Sequence, residues 1–446
     1  MTALSRPAPV SVSGERLTAD LAAVNRFGAT AAGGAERVAW TEPDLAARTW
    51  LAETCRELGL VVEHDEAGSV WALPSEAPNG PGSLVLMGSH LDTVPDGGRF
   101  DGAVGVTGAL EVLRAALEAG VPEARRLGLV CWSDEEGARF GMGMLGSRSV
   151  AGFVTPAELE QAVDNDGVRL VDVLARSGLD PARVPEAARR RAQIAAYLEL
   201  HIEQGPALDR AGLPVGIVTG IVGVSNWRFT VEGVANHAGS TMPADRHDAL
   251  IPVAAIALAA QSTMHAQHGL VATVGEATVV GGASNIVPGL ARCTLDARSL
   301  DPGLLDAGVA AILEAGRRSA ADNGCTLHAY ETKRMPPAIV PPEMLERLDA
   351  AARAEGLDPP RMPSRAAHDG QNLAAAGVPI GMIFVRSLAG ISHAPQERST
   401  DEDIAAGARV LARAALDLAR TLDATGALSD LGGAGAWGGA TTGSGA

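Results

Sequence analysis

A short apolar run, residues 127–132, ends directly in the acidic segment Ser133-Asp134-Glu135-Glu136-Gly137. The run has the length of a fully buried strand, so the fold has to place two adjacent carboxylates at the end of a strand. If the pair stood alone, a solvated acidic turn would account for it. The alternative is a bound metal ion, which would hold one carboxylate ionised while the other transfers protons.

Histidines and carboxylates follow the other predicted strands as well. In an open α/β sheet, ligands gather beyond the carboxyl ends of the strands. A single histidine at such a place is usually a hydrogen-bonded loop residue, but several histidines and carboxylates at one edge favour a set of ligands. The residues that we expect at this edge are His90, Asp92, Asp101, Glu135, Glu136, His201 and His393.

The order of the predicted elements indicates an α/β protein with two domains. A mixed, largely parallel sheet is expected in a discontinuous catalytic domain, residues 1–219 and 333–425. Residues 220–332 have the order βαββαβ of a ferredoxin-like fold and would form an inserted lid or dimerisation domain. The Gly/Ala/Ser/Thr-rich tail, residues 426–446, is expected to be disordered, and the pattern gives Trp437 no role.

Two further expectations concern local structure. The polar, charge-mixed residues 156–191 predict two surface helices. Residues 270–280 predict a single strand of the second domain.

Composition and charge exclude several classes of protein. With 446 residues, 46% of them hydrophobic, the chain is long enough for two domains with separate cores. A formal charge of −17 without a Lys/Arg-rich stripe argues against a nucleic-acid partner. No apolar stretch approaches the roughly 18 residues of a membrane span, and residues 1–16 lack the apolar core of a signal peptide, so a cytoplasmic protein is expected. The four cysteines are expected to be buried free thiols: Cys55, Cys131, Cys293 and Cys325.

The ligand types indicate which metals the site would take. Histidine and carboxylate ligands without a thiolate suit Zn²⁺ or Mn²⁺ at a catalytic site. Two ions about 3.5–4 Å apart would need one shared carboxylate. A nucleotide site is not expected: residues 141–146 match G-x-G-x-x-G, but the acidic segment before them would repel a pyrophosphate.

A resemblance to the metal-dependent aminoacylase/carboxypeptidase superfamily rests on four motifs, Gly88-Ser-His-Leu-Asp-Thr-Val94, Arg99-Phe-Asp-Gly102, Ser133-Asp-Glu-Glu-Gly137 and Ser392-His393. Two more motifs are similar to its hydantoinase/carbamoylase branch, Leu200-His-Ile-Glu-Gln-Gly-Pro206 and Asn236-His-Ala-Gly-Ser240. That branch contains N-carbamoyl-L-amino-acid hydrolases, ureidopropionases and allantoate amidohydrolases. The resemblance extends from Glu15 to Leu422.

The resemblance implies two divalent metal ions. His90, Asp101 and His201 would hold one ion. Asp101, Glu136 and His393 would hold the other, so that Asp101 bridges the two. The ions would be Zn²⁺ or Mn²⁺, with Co²⁺ or Ni²⁺ as alternatives.

The resemblance also implies which residues surround the reaction. Asp92 would orient His90, because a ligating histidine commonly donates its second N–H to a carboxylate. Glu135 would be the general base that takes a proton from water. His237 would reach the active site of a neighbouring subunit and stabilise the oxyanion, so a homodimer is expected.

By the same resemblance, three residues would contact a small-molecule substrate that carries a carboxylate. Asn285 and Arg298 would bind this carboxylate, and the fork of an arginine is suited to a bidentate pair. Gln204 is a further candidate for the same pocket. Taken by themselves, Asn285 would be a turn residue and Arg298 a surface charge.

The expected function is hydrolysis of a linear C–N bond outside peptides, with N-carbamoyl-L-amino acids giving the amino acid, ammonia and carbon dioxide. Hydrolysis of allantoate or ureidoglycine is the close alternative, followed by an N-acyl-amino-acid deacylase or a dipeptidase. The remaining alternative is a non-catalytic binding protein with this fold. The loop Ser364-Arg-Ala-Ala-His-Asp369 departs from the Ser-Gly-Ala-Gly-His-Asp of relatives, and its non-glycine residues restrict the backbone, which leaves its shape and its effect on substrate choice open.

Overall fold

The chain forms two compact units. The computed structural model describes residues 10–428 and Leu431, so most of the predicted disordered tail, with Trp437, lies outside the described residues. The first unit contains the described residues up to Thr219, Val340–Ser364 and the residues from His368 onward. The second unit contains Gly220–Ile339 and Arg365–Ala367, so it ends later than the predicted residue 332.

The helices of the described chain are α1 (Gly14–Val24), α2 (Glu42–Glu57), α3 (Ala103–Glu118), α4 (Leu145–Ala151), α5 (Pro156–Gln161), α6 (Leu170–Arg176), α7 (Ala207–Ala211), α8 (Leu250–Ala266), α9 (Pro302–Asp322), α10 (Pro342–Ala354), α11 (Asp369–Ala375) and α12 (Asp401–Thr425). The strands are β1 (Leu60–His64), β2 (Val70–Pro74), β3 (Leu84–His90), β4 (Leu127–Trp132), β5 (Ile194–Ile202), β6 (Val215–Ile221), β7 (Gly223–Glu232), β8 (Asn236–His237), β9 (Val271–Thr273), β10 (Ala277–Val279), β11 (Ile286–Val287), β12 (Leu290–Ser299), β13 (Thr326–Met335), β14 (Ala338–Ile339), β15 (Arg361–Ser364) and β16 (Ile380–Val385). Short 3₁₀ segments lie at Pro122–Arg126, Pro181–Gln193, Pro243–Asp245 and Leu388–Gly390.

The sheet of the first unit runs in the order β1-β2-β4-β3-β5-β16-β6, and β15 also pairs with β6. Strands β4, β3, β5 and β16 are parallel neighbours, whereas the outer pairs β1/β2, β2/β4 and β16/β6 are antiparallel. The predicted mixed α/β class is confirmed, with the parallel pairing concentrated in the centre. Because parallel neighbours end at the same edge, the residues after these four strands come together.

The central strands are buried because helices pack on them. Every residue of β3, β4 and β16 is buried, as expected for strands with continuous apolar runs. Helix α3 packs on β3, β4 and β5, and α12 packs on β5 and β16. Helix α12 begins where the Thr400 side chain accepts the N–H of Asp403, and its first turn is acidic, which the helix dipole favours.

The second unit is an antiparallel sheet with two helices. Its main elements follow in the order β7, α8, β9, β12, α9, β13, with the short β10 before β12. The strand order is β10-β12-β7-β13, and β9 also pairs with β12. This element order agrees with the predicted βαββαβ motif. Its core is formed by side chains of both helices and of the sheet, among them Phe229, Val231, Ile256, Leu295 and Ile312.

Local structure differs from the sequence-based predictions in three places. Residues 270–280 form two short strands, β9 and β10, separated by a segment that contains Gly275. Residues 156–191 contain α5 and α6, but Pro181–Gln193 is a 3₁₀ segment, within which Pro185 lacks a donor N–H. Strand β6 is not predicted, because glycines interrupt its apolar run.

All four cysteines are free, as predicted. Cys55, Cys131 and Cys293 are buried, whereas Cys325 is half-buried and departs from the expectation. Among the helices of the described residues, none combines the length and the apolar character that crossing a bilayer requires.

Candidate metal centre and active site

The carboxyl edge of the central strands brings together the predicted ligands. Among the described residues, four groups of three side chains have potential ligand atoms within 4.8 Å of one another, and two of these groups are the predicted ligand sets. One group is His90, Asp101 and His201, and the other is Asp101, Glu136 and His393. Asp101 belongs to both groups.

The two carboxylate oxygens of Asp101 face different partners. Its Oδ1 lies 3.4 Å from His90 Nε2 and 3.2 Å from His201 Nε2. Its Oδ2 lies 3.4 Å from His393 Nε2, and the same nitrogen lies 3.4 Å from Glu136 Oε1. One carboxylate therefore connects the two groups, with one oxygen directed at each.

Backbone carbonyls fix the orientation of two of the imidazoles. His90 Nδ1 lies 2.9 Å from the carbonyl oxygen of Asp92, and His201 Nδ1 lies 2.9 Å from that of Ile202. A carbonyl only accepts, so each Nδ1 donates, and Nε2 is the nitrogen that faces Asp101 and that would offer its lone pair to a cation once deprotonated. Gly102 makes room for this arrangement: its φ is +60°, and a Cβ there would lie 2.5 Å from the His90 ring.

The acidic segment is held by Asp92 from the neighbouring strand end. The Asp92 carboxylate accepts the backbone N–H of Glu135 at 3.2 Å and that of Glu136 at 3.1 Å. Its Oδ1 lies 3.9 Å from His90 Nδ1, which is beyond hydrogen-bond distance. Asp92 therefore holds His90 through its carbonyl, while its side chain positions the acid pair. Glu135 Oε2 lies 3.7 Å from His90 Nε2.

The glycine-rich segment after the acid pair uses its backbone N–H groups locally. The N–H groups of residues 144–146 donate to the carbonyls of residues 133–135 at 2.7–3.1 Å. These donors stabilise the acidic loop and are not directed outward, where a phosphate would need them.

The carboxylates and imidazoles of the site perturb one another. Burial, with repulsion from Asp101, raises the pKa of Glu136 to about 7. Burial raises the pKa of Glu135 well above its usual range, although His90 opposes the shift. A hydrogen bond to Asp101 raises the pKa of His393 to about 9. Buried carboxylates that repel one another beside imidazole nitrogens form a donor set that fits a divalent cation.

Gln204 lies beside the shared carboxylate. Its Nε2 donates to Asp101 Oδ2 at 2.6 Å and lies 3.5 Å from His393 Nε2. Its backbone has φ +56°, and its N–H donates to the hydroxyl of Ser387 at 3.0 Å. Gln204 therefore contacts the candidate ligands directly.

Sequence patterns miss three buried residues next to the site. Glu199 accepts the Ser89 hydroxyl at 2.7 Å, and the His368 ring packs on that of His201 with centroids 4.5 Å apart. Glu397 accepts two backbone N–H groups from the loop of Asp101. Glu199 lies two residues before His201 and thus on the same face of β5, a spacing that could have identified it. No comparable spacing along a strand connects His368 or Glu397 with a predicted ligand.

His237, predicted to stabilise the oxyanion, lies on a small ribbon of the second unit, and Asn285, a predicted substrate residue, directly precedes its second strand. Strands β8 and β11 pair His237 with Ile286, and the carbonyl of Asn285 accepts the N–H of Ala238 at 2.8 Å. His237 is exposed, and its Nδ1 accepts the N–H groups of Gly239 and Ser240 at 3.1 and 3.2 Å. Because Nδ1 accepts, the neutral ring carries its proton on Nε2 and presents a donor.

Arg298, on β12, already has partners within the second unit. Its Nε and Nη2 donate to the two oxygens of Asp296 at 2.8 and 3.0 Å. Its Nη1 donates to the carbonyl of Arg365 at 2.9 Å. These bonds use three of the five N–H groups of a guanidinium, and the other two remain for a further acceptor.

The mixed α/β sheet, with imidazoles and carboxylates at the carboxyl ends of its parallel strands, defines the class of metal-dependent hydrolases. Residues 86–417 match the sequence profile of Peptidase family M20/M25/M40, and the chain belongs to this family. An N-carbamoyl-L-amino acid amidohydrolase of Geobacillus stearothermophilus is 40% identical over 92% of this chain and 99% of the relative. A ureidoglycolate hydrolase of Oryza sativa subsp. japonica is 32% identical over 85% of this chain and 79% of the relative.

Solved structures point to the same branch. An amidase of the hydantoinase/carbamoylase family from Burkholderia multivorans superposes with a TM-score of 0.81 at 33% identity. The match covers 92% of this chain and 98% of that one. The predicted membership in the hydantoinase/carbamoylase branch is confirmed.

Proposed function

We propose that this protein is a di-metal amidohydrolase that converts N-carbamoyl-L-amino acids to the L-amino acid, ammonia and carbon dioxide. The observation that carries the proposal is the pair of ligand groups that share Asp101, with Glu135 beside them. The similarity to the N-carbamoyl-L-amino acid amidohydrolase of Geobacillus stearothermophilus supports the choice of substrate.

The proposed metal site holds two divalent ions. His90, Asp101 and His201 would hold one, and Asp101, Glu136 and His393 the other, with Asp101 as the bridge. The imidazole and carboxylate donors suit Zn²⁺ or Mn²⁺, with Co²⁺ or Ni²⁺ as alternatives. When bound, such ions supply Lewis-acid polarisation of the scissile carbonyl and activation of water.

Glu135 is the proposed proton carrier. Its carboxylate takes a proton from the attacking water, whose oxygen forms a bond with the ureido carbon. As the C–N bond breaks, Glu135 passes this proton to the leaving nitrogen, and the carbamate formed decomposes to ammonia and carbon dioxide. Burial raises the pKa of Glu135, which makes its carboxylate a stronger base than that of an exposed glutamate.

The proposed substrate contacts come from the second unit and from Gln204. Arg298 has two N–H groups left for the substrate carboxylate, and Asn285 would contact the same group. The Nε2–H of His237 would stabilise the oxyanion. Gln204, which donates to Asp101, would help to set the substrate's position beside the ligands.

The proposed assembly is a homodimer formed through the second unit, in which His237 serves the partner's site. Helix α8 contains no Asp, Glu, Lys or Arg along its length. Ile251 and Leu258 on this helix are 44% and 66% exposed, and they are spaced by two helical turns, so an apolar stripe faces outward. A second copy of the helix would cover this stripe, and Leu258→Glu should therefore shift the sedimentation coefficient toward that of a monomer.

Hydrolysis of allantoate or ureidoglycine is the second candidate. The similarity to a ureidoglycolate hydrolase of rice favours it, because such substrates also carry a ureido group next to a carboxylate. N-acyl-amino-acid deacylase and dipeptidase activities follow, and a non-catalytic binding protein would leave the acid pair unexplained.

The test is ammonia release from purified protein loaded in turn with Zn²⁺, Mn²⁺, Co²⁺ and Ni²⁺. The panel contains N-carbamoyl-L-amino acids, their D-enantiomers, allantoate and N-acyl-amino acids. We expect turnover of the N-carbamoyl-L-amino acids, loss of activity on chelation, and an unchanged helical CD spectrum. Full activity of the chelated protein would refute the metal proposal, and turnover of allantoate alone would select the second candidate.

A further inference from the structure

The Glu397 carboxylate joins two loops that are far apart in the sequence. Glu397 is fully buried. Its Oε1 accepts the backbone N–H of Phe100 at 2.8 Å and that of Asp101 at 3.1 Å. Its Oε2 accepts the hydroxyl of Ser392 at 2.9 Å. The carboxylate thus contacts the loop that carries Asp101 and the loop that carries His393.

Ser392 extends this connection to a candidate ligand atom. Its hydroxyl lies 3.0 Å from Asp101 Oδ2, the oxygen that faces His393. Because the hydroxyl has one proton, it donates to Asp101 or to Glu397 at any moment. Glu397 and Ser392, which we call the clasp, therefore contact one oxygen of Asp101 and the backbone N–H groups of Phe100 and Asp101, and Ser392 directly precedes His393.

The opposite oxygen of Asp101 has different neighbours. Oδ1 faces His90 and His201, which lie on β3 and β5 and are fixed by their own carbonyl contacts. The clasp has no contact with either ring among its hydrogen bonds in the described structure. The ligands that the two groups do not share therefore differ in what holds them. His90 and His201 lie on regular strands, whereas Glu136 is held by the Asp92 carboxylate and His393 lies in the loop that the clasp contacts.

A glycine makes the clasp sterically feasible. A Cβ at Gly98 would lie 2.0 Å from the Glu397 carboxylate, a distance that side chains do not adopt. Any residue other than glycine at this position would push the carboxylate away from the N–H groups of Phe100 and Asp101. Gly98→Ala is therefore a way to open the clasp without touching Glu397 itself.

We propose that the clasp is a positioning device for one of the two metal ions, the one held by Asp101, Glu136 and His393. This inference rests on the proposed function. Opening the clasp releases Asp101 Oδ2 and the segment of His393, while His90 and His201 keep their strand positions. The ion at the second group should then be lost in preference to the ion at the first.

The experiment measures metal content rather than activity alone. Wild type and variants are loaded with Zn²⁺, dialysed against a graded series of chelator concentrations, and analysed by mass spectrometry for ions per chain. For Glu397→Ala, Gly98→Ala and Ser392→Ala we expect one of two ions to leave at about 10–100-fold lower chelator concentration than in the wild type, the usual effect of losing a residue that orients a ligand.

A conservative variant and a control test the geometric explanation. Glu397→Gln keeps an oxygen for the two backbone N–H groups and an amide that can donate to Ser392, so it should retain both ions. Glu111 on α3 is also a fully buried carboxylate, and it accepts the N–H of Ser13 at 2.7 Å. Glu111→Ala should lower the thermal midpoint without separating the release of the two ions.

Each outcome bears on a separate claim. If the wild type binds two ions and the clasp variants release both at the wild-type chelator concentration, the clasp proposal is wrong and the proposed function stands. Simultaneous loss of both ions by folded Gly98→Ala and Ser392→Ala protein would likewise overturn the selective role. If the wild type itself binds no ions, the proposed function fails. In clasp variants that retain one Co²⁺ ion per chain, the visible absorption spectrum should be that of an ion with two imidazole ligands, because the remaining ion is expected at His90 and His201.

Discussion

The side chain of Asp92 accepts a hydrogen bond from the backbone N–H of Glu136 at 3.1 Å. Its neighbour Glu135 donates its N–H to the other oxygen of the same carboxylate. The imidazole of His90 is instead bonded by the carbonyl of Asp92. One residue thus aligns two different parts of the candidate site, a ligand through its backbone and the acid pair through its side chain.

This division of labour predicts the result of replacing Asp92. In Asp92→Asn the amide nitrogen would face a backbone N–H, so one of the two bonds is lost and a buried donor is left unpaired, at a cost of about 1–3 kcal/mol in unfolding free energy. We expect kcat to fall because Glu135 is displaced, while the metal content remains because the carbonyl still holds His90. Urea unfolding, kcat and metal analysis check this. If Asp92→Asn instead lost metal while kcat per bound ion stayed unchanged, the Asp92 side chain would be shown to orient His90 as a ligand.

The acid pair should separate into a ligand and a proton carrier. Glu136→Gln should lower metal occupancy, because a neutral amide is a poor ligand for a dication. Glu135→Gln should keep both ions and the substrate affinity but lose about 10²–10⁴-fold in kcat, the usual contribution of general acid–base catalysis. Metal content and kcat of the two variants decide the matter. A metal-poor Glu135→Gln beside a metal-replete, inactive Glu136→Gln would reverse the assignment, and activity in both would place the reaction elsewhere.

Metal uptake should depend on pH with a defined sign. The pKa of Glu136 is raised from 4.5 to about 7 and that of His393 from 6.5 to about 9. Both groups must lose a proton to bind a cation, so uptake should release protons and tighten as the pH rises from about 6 to 9. Proton release during a Zn²⁺ titration measures this, and His393→Ala should reduce the number of protons released. Uptake that is independent of pH would contradict the prediction.

For protein stripped of metal the same shifts predict the opposite trend in stability. The folded state binds both protons more tightly than the unfolded state, so stability is highest below the unfolded pKa values and falls as the pH rises toward the folded ones. The contribution of Glu136 should be lost between pH 4.5 and about 7, and that of His393 between 6.5 and about 9. Urea midpoints of stripped protein across this range check the trend, and Glu136→Gln with His393→Ala should flatten it.

Arg298→Ala should raise KM for substrates that carry a carboxylate. Two N–H groups remain beside the pair with Asp296, and loss of a hydrogen bond to a charge costs about 1.5–3 kcal/mol, or about ten- to a hundredfold in KM. Arg292→Ala, an exposed arginine on the same strand, is the matched control and should leave KM unchanged. Arg298 does not bind the carboxylate if the substitution leaves KM for the acid unchanged. The same conclusion holds if KM rises as much for the amide analogue of the substrate as for the acid.

The parts of the site that lie at strand ends are predictable from the sequence. The apolar runs before His90, Glu135 and His201 identify β3, β4 and β5, and parallel pairing of these strands makes their ends meet. This inference does not require knowledge of any tertiary contact, because parallel strand pairing alone places the strand ends side by side. The α/β class follows from the same pattern, whereas the division of the ligands into two groups comes from the family resemblance.

Contacts between distant loops are not predictable in this way. Glu397 bonds the backbone of Phe100 across 297 positions, and nothing in the residues around either one indicates the pairing. The pairing of Arg298 with Asp296 is closer to what a sequence can predict, because residues two apart on a strand share one face. Strand β6 escapes prediction for a local reason, because its glycines weaken the apolar pattern.

The carbonyl contacts of His90 and His201 have a consequence for how the protein acquires its metals. Both rings are aimed by atoms of the polypeptide itself, so the first ligand group takes its shape from folding and needs no ion as a template. A cation that enters the proposed site would then meet imidazoles whose rotation is already restricted, and it could leave and be replaced while the chain stays folded. Under the proposed function, the metal bound at a given moment would depend on the supply of free ions as well as on the ligands.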